Sequence, residues 1–320
     1  MRTNPQFSVT RGRLNDSDRY DRLVAVIGYE ERSTRVLESF GGTARQITAF
    51  DYENQDVLSY NRNKQLFASA HSVASLPGLV EQLREDYDAD RVRATSAPRS
   101  VMAGGVRWLV DISSMDRDLL ATIIRFASDT LKDTDLLRFV YSPAAFSPEL
   151  QRDFGTIRIN RPVLGLEGWP ADPSQELHAV VGLGFERTLA LAAVETLEPG
   201  KALYFHPRGF DLRYDTAFDM INRSLFISEF DSMRSYQLAE PLSLYSMLEN
   251  YASAMANRAR IVFVPLGPKL FALASMLVAV QYPRMCSVWR VSPGLERLPS
   301  QRVSVGELIA VDARVGVPAN

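Results

Sequence analysis

The residues best suited to chemistry lie in two matching segments, Glu31-Arg32-Ser33 and Glu186-Arg187-Thr188. Each segment follows an apolar run that predicts a buried strand, residues 23–28 in the first case and 177–183 in the second. A glutamate there can accept hydrogen bonds from a ribose or a base, and an arginine can bind a phosphate through two parallel N–H groups. The alternative is an internal Glu–Arg ion pair that only orients the turn.

A second group of polar residues, Asp111, Ser113 and Ser114, follows the strand predicted over residues 106–112. An aspartate at the end of a central strand can act as a base or as a metal carboxylate. The two serines, together with the start of the next helix, can hold a phosphate. A simpler interpretation makes either serine the N-cap of the helix predicted over residues 115–130, and capping does not exclude ligand binding.

Lys269 takes the corresponding place later in the chain. It follows the apolar run 261–265 and a glycine-containing turn, and it begins the apolar stretch 269–281, which predicts a buried helix. A lysine at the start of a helix is usually solvated. This one interrupts a strongly apolar segment beside a helix N-terminus that favours anions, so we expect it to contact a ligand.

His206 and Arg208 follow the strand predicted over residues 202–205. His206 is the best candidate for a general acid or base, because an imidazole titrates near neutral pH. A histidine before a proline is also common in plain loops. The carboxylates that could serve as the catalytic base are Glu31, Asp111 and Glu186. No HExxH or CxxC spacing occurs, so we predict no metal site.

The elements that must position these residues are strand–turn–helix units. Short apolar runs alternate with helical stretches, as in doubly wound α/β proteins, whose ligands lie at the carboxyl ends of the strands. The sequence therefore predicts an α/β fold with two Rossmann-like parallel-sheet halves. We place the first half at residues 1–150 and the second at residues 176–320, with a proline-rich connector at 151–175.

An internal repeat supports this division. Besides the Glu-Arg segments, three further pairs match in the same order: 108–111 with 263–266, 141–143 with 291–293, and 61–62 with 222–223. Any two Rossmann-like units share a strand–turn–helix rhythm. That rhythm does not explain why both first turns carry an aromatic residue and then Glu, Arg and a hydroxyl. We therefore predict that the two halves are related by internal duplication.

Two turns resemble those of a known family. The segment Val264-Pro265-Leu266-Gly267-Pro268-Lys269, followed by an apolar helix, resembles the Gly-x-Lys turn of CRISPR-associated Rossmann-fold (CARF) sensor domains. Asp111-Ile112-Ser113-Ser114 is similar to the Asp-x-(Ser/Thr)-Gly-Gly version of that turn, but it lacks the glycines. The resemblance implies that these turns lie beside a phosphate of a cyclic oligonucleotide. Related sensors of anti-phage systems carry two CARF-like units in one chain, which suits the repeat.

The composition excludes several function classes. Lys and Arg number 36 against 38 Asp and Glu, so no overall charge recruits nucleic acid or a membrane. The single cysteine, Cys286, cannot form an internal disulfide and is typical of a reducing compartment. No apolar stretch is long enough to span a bilayer, and the N-terminal residues lack the apolar region of a signal peptide. We expect a soluble cytoplasmic protein that needs no cofactor.

These observations lead to one leading hypothesis and two rivals. The leading hypothesis is a protein that binds a nucleotide or a cyclic oligonucleotide, as a sensor or regulator in a bacterial anti-phage system. Such a sensor is not itself an enzyme and needs an effector protein as partner, unless it cleaves its own ligand. The first rival is a nucleotide-processing hydrolase or transferase, with Glu31, Asp111 or Glu186 as base and His206 as acid. The second rival is a scaffold that binds partner proteins through apolar surface.

Overall fold

Two compact units divide the chain. The computed structural model describes residues 6–69, 72–96, 104–147, 157–168, 172–228, 232–293 and 299–316. Unit 1 comprises Thr3–Ala144 and Pro299–Asn320, and unit 2 comprises Ala145–Leu298. Each unit contains one mostly parallel β-sheet with helices, so the predicted α/β class is confirmed.

Seven strands form the sheet of unit 1: β1 (Gln6–Arg11), β2 (Tyr20–Ile27), β3 (Ala44–Asp51), β4 (Ser72–Ser75), β5 (Arg107–Asp111), β6 (Leu136–Tyr141) and β13 (Ile309–Gly316). Their order across the sheet is β1-β13-β6-β5-β2-β3-β4. The strands β2 to β6 are mutually parallel, whereas β13 runs antiparallel to both of its neighbours. The central strands are continuous apolar runs, as expected for a parallel sheet that is covered on both faces.

The main helices of unit 1 are α1 (Arg35–Phe40), α2 (Tyr60–Leu66), α3 (Leu79–Ser96) and α4 (Arg117–Thr130). The N-cap of α4 is Asp116, whose side chain accepts a hydrogen bond from the Leu119 backbone N–H at 2.8 Å. Neither Ser113 nor Ser114 caps this helix. An aspartate that lies three residues before a backbone N–H of the first turn satisfies that donor, and its charge is favoured at a helix N-terminus.

A buried ion pair accompanies the long helix α3. The sequence predicts a helix over residues 79–87 and a mobile surface loop or an irregular insert over residues 88–105. The second prediction is wrong for residues 88–96, which belong to α3. Asp90 is fully buried and accepts hydrogen bonds from Arg22 Nε at 2.8 Å and from Trp108 Nε1 at 2.9 Å. These contacts attach the polar end of α3 to the sheet, and the low apolar content of the segment gives no sign of them. Residues 97–103 lie outside the described part of the chain.

Six strands form the sheet of unit 2: β7 (Ile159–Pro162), β8 (Glu176–Gly182), β9 (Lys201–Arg208), β10 (Met233–Gln237), β11 (Ala259–Pro265) and β12 (Cys286–Ser292). Their order is β10-β9-β8-β11-β12-β7, and all neighbouring strands are parallel except the pair β12 and β7. The predicted connector 151–175 thus contributes β7 to this sheet. Residues 151–156 and 169–171 of that connector are outside the described ranges.

The helices of unit 2 are α5 (Arg187–Leu197), α6 (Leu212–Ser228), α7 (Pro241–Met255) and α8 (Lys269–Gln281). The predicted bounds of α8 are confirmed, and each of its residues from Leu270 to Val280 is buried. A helix that is apolar on all sides is typical of the interior of a domain. Cys286 is also buried, and burial raises the pKa of its thiol.

The two sheets share one topology. In unit 1 the parallel strands lie in the order β4-β3-β2-β5-β6, and in unit 2 they lie in the order β10-β9-β8-β11-β12. Each is the order third, second, first, fourth, fifth along the chain, as in doubly wound proteins. A duplication would produce this match, but unrelated proteins of this class also have this order. The duplication therefore stays a prediction.

Four short or terminal strands differ from the predictions. The polar sequence of residues 1–20 predicts a loosely held lead-in, but residues 6–11 form β1, which pairs with β13. The predicted second half included residues 309–316, but β13 joins the sheet of unit 1, where Arg138 of β6 binds Asp312 through two nitrogens at 2.6 and 2.7 Å. The edge strands β4 and β10 were not predicted, because their short and partly polar sequences lack an apolar run.

Among the described residues, no helix is both long and apolar enough to cross a bilayer.

Candidate functional site

The strand order indicates where a ligand would bind in each unit. It reverses direction between β2 and β5 in unit 1 and between β8 and β11 in unit 2. Ligands of open α/β sheets lie outside the carboxyl ends of the strands at such a switch point. We therefore compare the carboxyl edges of the two sheets, each within its own unit.

Arg32 of unit 1 is committed to internal contacts. It is 4% exposed, and its Nε lies 2.6 Å from Glu30 Oε2. Its Nη1 donates to the Ser142 carbonyl at 2.5 Å and its Nη2 to the Ser113 carbonyl at 3.2 Å. Burial disfavours the charged guanidinium, but the Glu30 carboxylate outweighs that effect, and the pKa of Arg32 is raised. Arg32 thus ties together the turns that follow β2, β5 and β6.

Asp111 and Ser113 lie beside this arginine. Both are buried, and the carboxylate of Asp111 accepts a hydrogen bond from the Ser113 backbone N–H at 2.9 Å. Burial raises the pKa of Asp111 to about 6, although the contacts with Ser113 and the charge of Arg32 oppose the shift. The Ser113 hydroxyl accepts from the Ser142 N–H at 2.9 Å. The predicted residues Arg32, Asp111 and Ser113 therefore form one internal network.

A segment near the C-terminus lies across the same edge. We call residues 301–306 the strap. The Gln301 side chain accepts a hydrogen bond from the Glu31 backbone N–H at 3.0 Å and donates to Ser59 Oγ at 2.6 Å. The carbonyl of Arg302 accepts from the Arg32 N–H at 3.1 Å. The side chain of Glu31 is exposed, but its backbone is fastened to the strap.

A buried asparagine holds the first turn of each unit, and sequence analysis misplaced one of the two. The amide of Asn63 donates to the carbonyls of Gly28 and Glu30 at 2.8 and 2.9 Å, and to Ser33 Oγ at 2.8 Å. The amide of Asn222 donates to the carbonyl of Gly184 at 3.2 Å. The residue of unit 1 that corresponds to Asn222 is therefore Asn63, two positions beyond the predicted Asn61.

The remaining serine of the predicted set, Ser114, packs against Gly28. A Cβ atom added to Gly28 would lie 2.8 Å from Ser114 Cβ, so only glycine fits between the two turns. The Ser114 hydroxyl is buried without a hydrogen-bond partner in the described part of the chain. Ser114 closes the space between β2 and β5 at this edge.

An ion pair stands at the end of the second strand of unit 1. Asp51, the last residue of β3, accepts from the buried Tyr60 hydroxyl at 2.5 Å and lies 2.9 Å from Lys64 Nζ. Burial would raise the pKa of Asp51, but these contacts outweigh it and lower the pKa. The acidic member is on the strand, and the basic member is on the following helix, where its side chain is 49% exposed.

In unit 2 the turns after β8 and β11 approach at backbone distance. The N–H groups of Leu266 and Gly267 donate to the carbonyl of Gly182 at 3.0 and 2.9 Å. A Cβ atom on Gly267 would overlap the carbonyl of Leu183, so the close approach of these two turns requires a glycine at this position. This contact fixes the start of α8, and with it Lys269.

The cationic side chains of this edge are more exposed than Arg32. Lys269 is half-buried as the first residue of α8. Arg187 begins α5 and donates through Nη1 to Ser224 Oγ at 3.1 Å. Its other nitrogens have no partner among the residues that the structure describes. Glu186 is the half-buried residue directly before α5.

His206 and Arg208 share one partner, Asp219 of α6. The buried imidazole of His206 stacks on Phe218 with ring centroids 4.4 Å apart, and its Nε2 lies 3.2 Å from Asp219 Oδ1. Burial and the nearby Arg208 lower the pKa of His206 to about 4, so it is neutral at pH 7. A neutral and buried histidine is a poor general acid.

Arg208 contacts Asp219 through one nitrogen only. Its Nη1 lies 3.1 and 3.3 Å from the two carboxylate oxygens, while Nε and Nη2 have no partner within the described ranges. Among the described residues, there is no group of three or more His, Cys, Asp or Glu side chains that could hold a metal ion.

No protein-family model matches the chain, and no curated protein matches it either. The resemblance of the two turns to CARF domains therefore stays a prediction.

Proposed function

We propose that the protein binds a phosphorylated, nucleotide-type ligand at the carboxyl edge of the unit 2 sheet. The observation that carries this proposal is the placement of Arg208 at the end of β9 and of Arg187 and Lys269 after β8 and β11, three neighbouring parallel strands. Neighbouring strands lie about 4.8 Å apart, so the three strand ends span about 10 Å. That span matches a chain of phosphates or a phosphate with its sugar.

The available hydrogen-bond donors favour unit 2 over unit 1. Arg187 and Arg208 each use one nitrogen in the contacts of the described residues, which leaves two nitrogens for an anion. Arg32 uses all three of its nitrogens internally. Arginine binds phosphate best through two parallel N–H groups, and the N-terminus of α8 adds a favourable dipole.

A thermal-shift screen of nucleotides and cyclic oligonucleotides tests the proposal, because a ligand that binds only the native state raises the melting temperature. Mass spectrometry of the ligand afterwards separates a sensor, which leaves it intact, from an enzyme. Arg187→Gln and Lys269→Gln should each weaken binding about tenfold or more. Arg258→Gln is the matched control, since this exposed arginine lies at the opposite end of β11. An equal loss of affinity in all three variants would contradict the assignment of the ligand to the carboxyl edge of unit 2.

A nucleotide-processing enzyme is the second candidate, favoured by one observation in unit 1. The pKa of Asp111, raised to about 6 by burial, is suited to proton transfer near neutral pH. In that case Asp111→Asn should abolish turnover while the ligand still binds. The narrower role of a sensor with an effector partner in anti-phage defence rests on the resemblance of the turns, and co-purification of a partner protein in the presence of the ligand would test it.

A further inference from the structure

The ion pair between Arg208 and Asp219 is longer and more exposed than the ion pair between Arg138 and Asp312. One nitrogen serves both carboxylate oxygens, at 3.1 and 3.3 Å, and the side chains are 32% and 43% exposed. By contrast, Arg138 binds Asp312 through two nitrogens at 2.6 and 2.7 Å, with side chains 9% and 15% exposed. Exposed pairs with poor geometry contribute little to stability, so Arg208 can exchange partners at low cost.

Asp219 lies beside this arginine at the carboxyl edge of the sheet. It is a residue of α6, and its Oδ2 lies 3.1 Å from Arg208 Nη1. The carboxylate therefore occupies the place where an incoming phosphate would contact Arg208. A negative charge at this position repels an anionic ligand and competes with it for the same guanidinium.

We propose that Asp219 is a resident counter-ion that determines which phosphates this edge accepts. The inference rests on the proposed function, since it assigns a selectivity to that same site. A phosphodiester carries one negative charge and replaces the carboxylate without a net gain in attraction. A terminal phosphate carries close to two charges and offers more oxygens to Nε and Nη2 of Arg208. The site therefore takes a nucleotide with a terminal phosphate in preference to a cyclic oligonucleotide.

Isothermal titration of the full chain tests this selectivity. The probes are a nucleoside triphosphate and a cyclic dinucleotide, measured at one fixed ionic strength. Wild-type protein should bind the triphosphate more tightly. Asp219→Asn removes the counter-ion and should raise the affinity for both ligands by about two- to fivefold. The increase should be larger for the cyclic dinucleotide, so the preference for the triphosphate becomes smaller. Glu195→Gln makes the same charge change at an exposed position of α5 and should leave both affinities unchanged.

The outcomes separate the two proposals. If Arg208→Gln weakens triphosphate binding but Asp219→Asn leaves it equal or weaker, the counter-ion role is overturned and the proposed function stands. If wild-type protein binds neither probe, both proposals are overturned. Should Asp219→Asn lower the melting temperature, Asp219→Ser provides the second variant, and tighter binding in it would support the counter-ion role despite the loss of stability. An unchanged preference in both variants would reject it.

Discussion

The two carboxyl edges have the same strand order but opposite arrangements of charge. In unit 1 an acidic residue, Asp51, ends the second strand and pairs with Lys64 of the following helix. In unit 2 a basic residue, Arg208, ends the second strand and pairs with Asp219 of the following helix. Shared topology therefore determines where polar residues gather. It does not determine whether they are available to a ligand.

The turns after β2 and β8 have similar sequences, but their arginines differ in the same way in their availability to a ligand. Arg32 is buried and uses all of its nitrogens, whereas Arg187 is half-exposed and donates from one nitrogen to Ser224 Oγ. In unit 1 the third residue after the strand is Glu30, whose carboxylate pairs with the buried arginine, whereas the third residue after the strand in unit 2 is Phe185. In unit 1 the edge is an internal network, and in unit 2 it is a surface with cations.

Replacing the arginine of the first turn should reduce the free energy of unfolding far more in unit 1 than in unit 2, and this is the largest difference that we expect. Arg32→Met leaves the Glu30 carboxylate and two backbone carbonyls without their donor, and removal of one partner of a buried ion pair costs about 3–5 kcal/mol. Arg187→Met should change the free energy of unfolding by less than about 0.5 kcal/mol. Denaturant unfolding of both variants measures the difference. Similar losses in the two variants would show that the contrast between the edges is wrong.

The pH dependence of stability should have opposite signs in the two units. Burial raises the pKa of Asp111 to about 6, so below that pH the native state keeps a proton that the unfolded state releases near pH 4. Burial lowers the pKa of His206 to about 4, so between about pH 4 and 6.5 the unfolded state binds a proton that the native state lacks. As the pH rises from 4 to 6.5, the contribution of Asp111 to the free energy of unfolding falls by about 3 kcal/mol, and the contribution of His206 grows by about the same amount.

Two variants isolate these contributions. The free energy of unfolding of wild type minus that of Asp111→Asn should decrease as the pH rises from 4 to 6.5. The corresponding difference for His206→Gln should increase over the same range. Chemical denaturation at several pH values gives both curves. Two flat curves, or two slopes of the same sign, would contradict the burial of these side chains.

A smaller difference is expected for the two asparagines. Asn63 makes three hydrogen bonds of 2.8 to 2.9 Å to the first turn and its serine, whereas Asn222 makes two of 3.1 and 3.2 Å. Asn63→Ala should cost about 2–3 kcal/mol and Asn222→Ala about 1–2 kcal/mol, because each removes buried hydrogen bonds and the first removes more and shorter ones. Asn61→Ala, at an exposed position of α2, is the control. Thermal unfolding measures all three, and a larger loss for Asn222 would reverse the inferred order.

Sequence patterns predicted the interior of the fold better than its edges. The helix α8 was predicted residue for residue because its all-apolar sequence leaves no alternative to burial, and the central strands were predicted from their apolar runs. The strands β4, β10 and β13 are short, polar or distant along the chain from their partners. Local pattern carries no information on such pairings.

The sequence predicted which residues lie near the ends of the strands, but it did not predict whether their side chains are buried or exposed. Sequence alone gave Arg32 and Arg187 the same role, because burial depends on contacts with Ser113 and Ser142 that come from distant strands. Asp219 was missed altogether. The available signal was an acidic residue three positions before the buried Asn222, on the helix that follows the strand with Arg208.

The most direct test of the central claim compares anion binding by the two edges. Isothermal titration should follow a nucleoside triphosphate binding to wild type, to Arg208→Gln in unit 2 and to Lys64→Gln in unit 1. Lys64 is exposed and paired with an aspartate, as Arg208 is, so the two variants remove one matched charge from each edge. We predict that Arg208→Gln weakens binding by about tenfold or more and that Lys64→Gln leaves it unchanged. The reverse pattern would place the ligand in unit 1 and contradict the account.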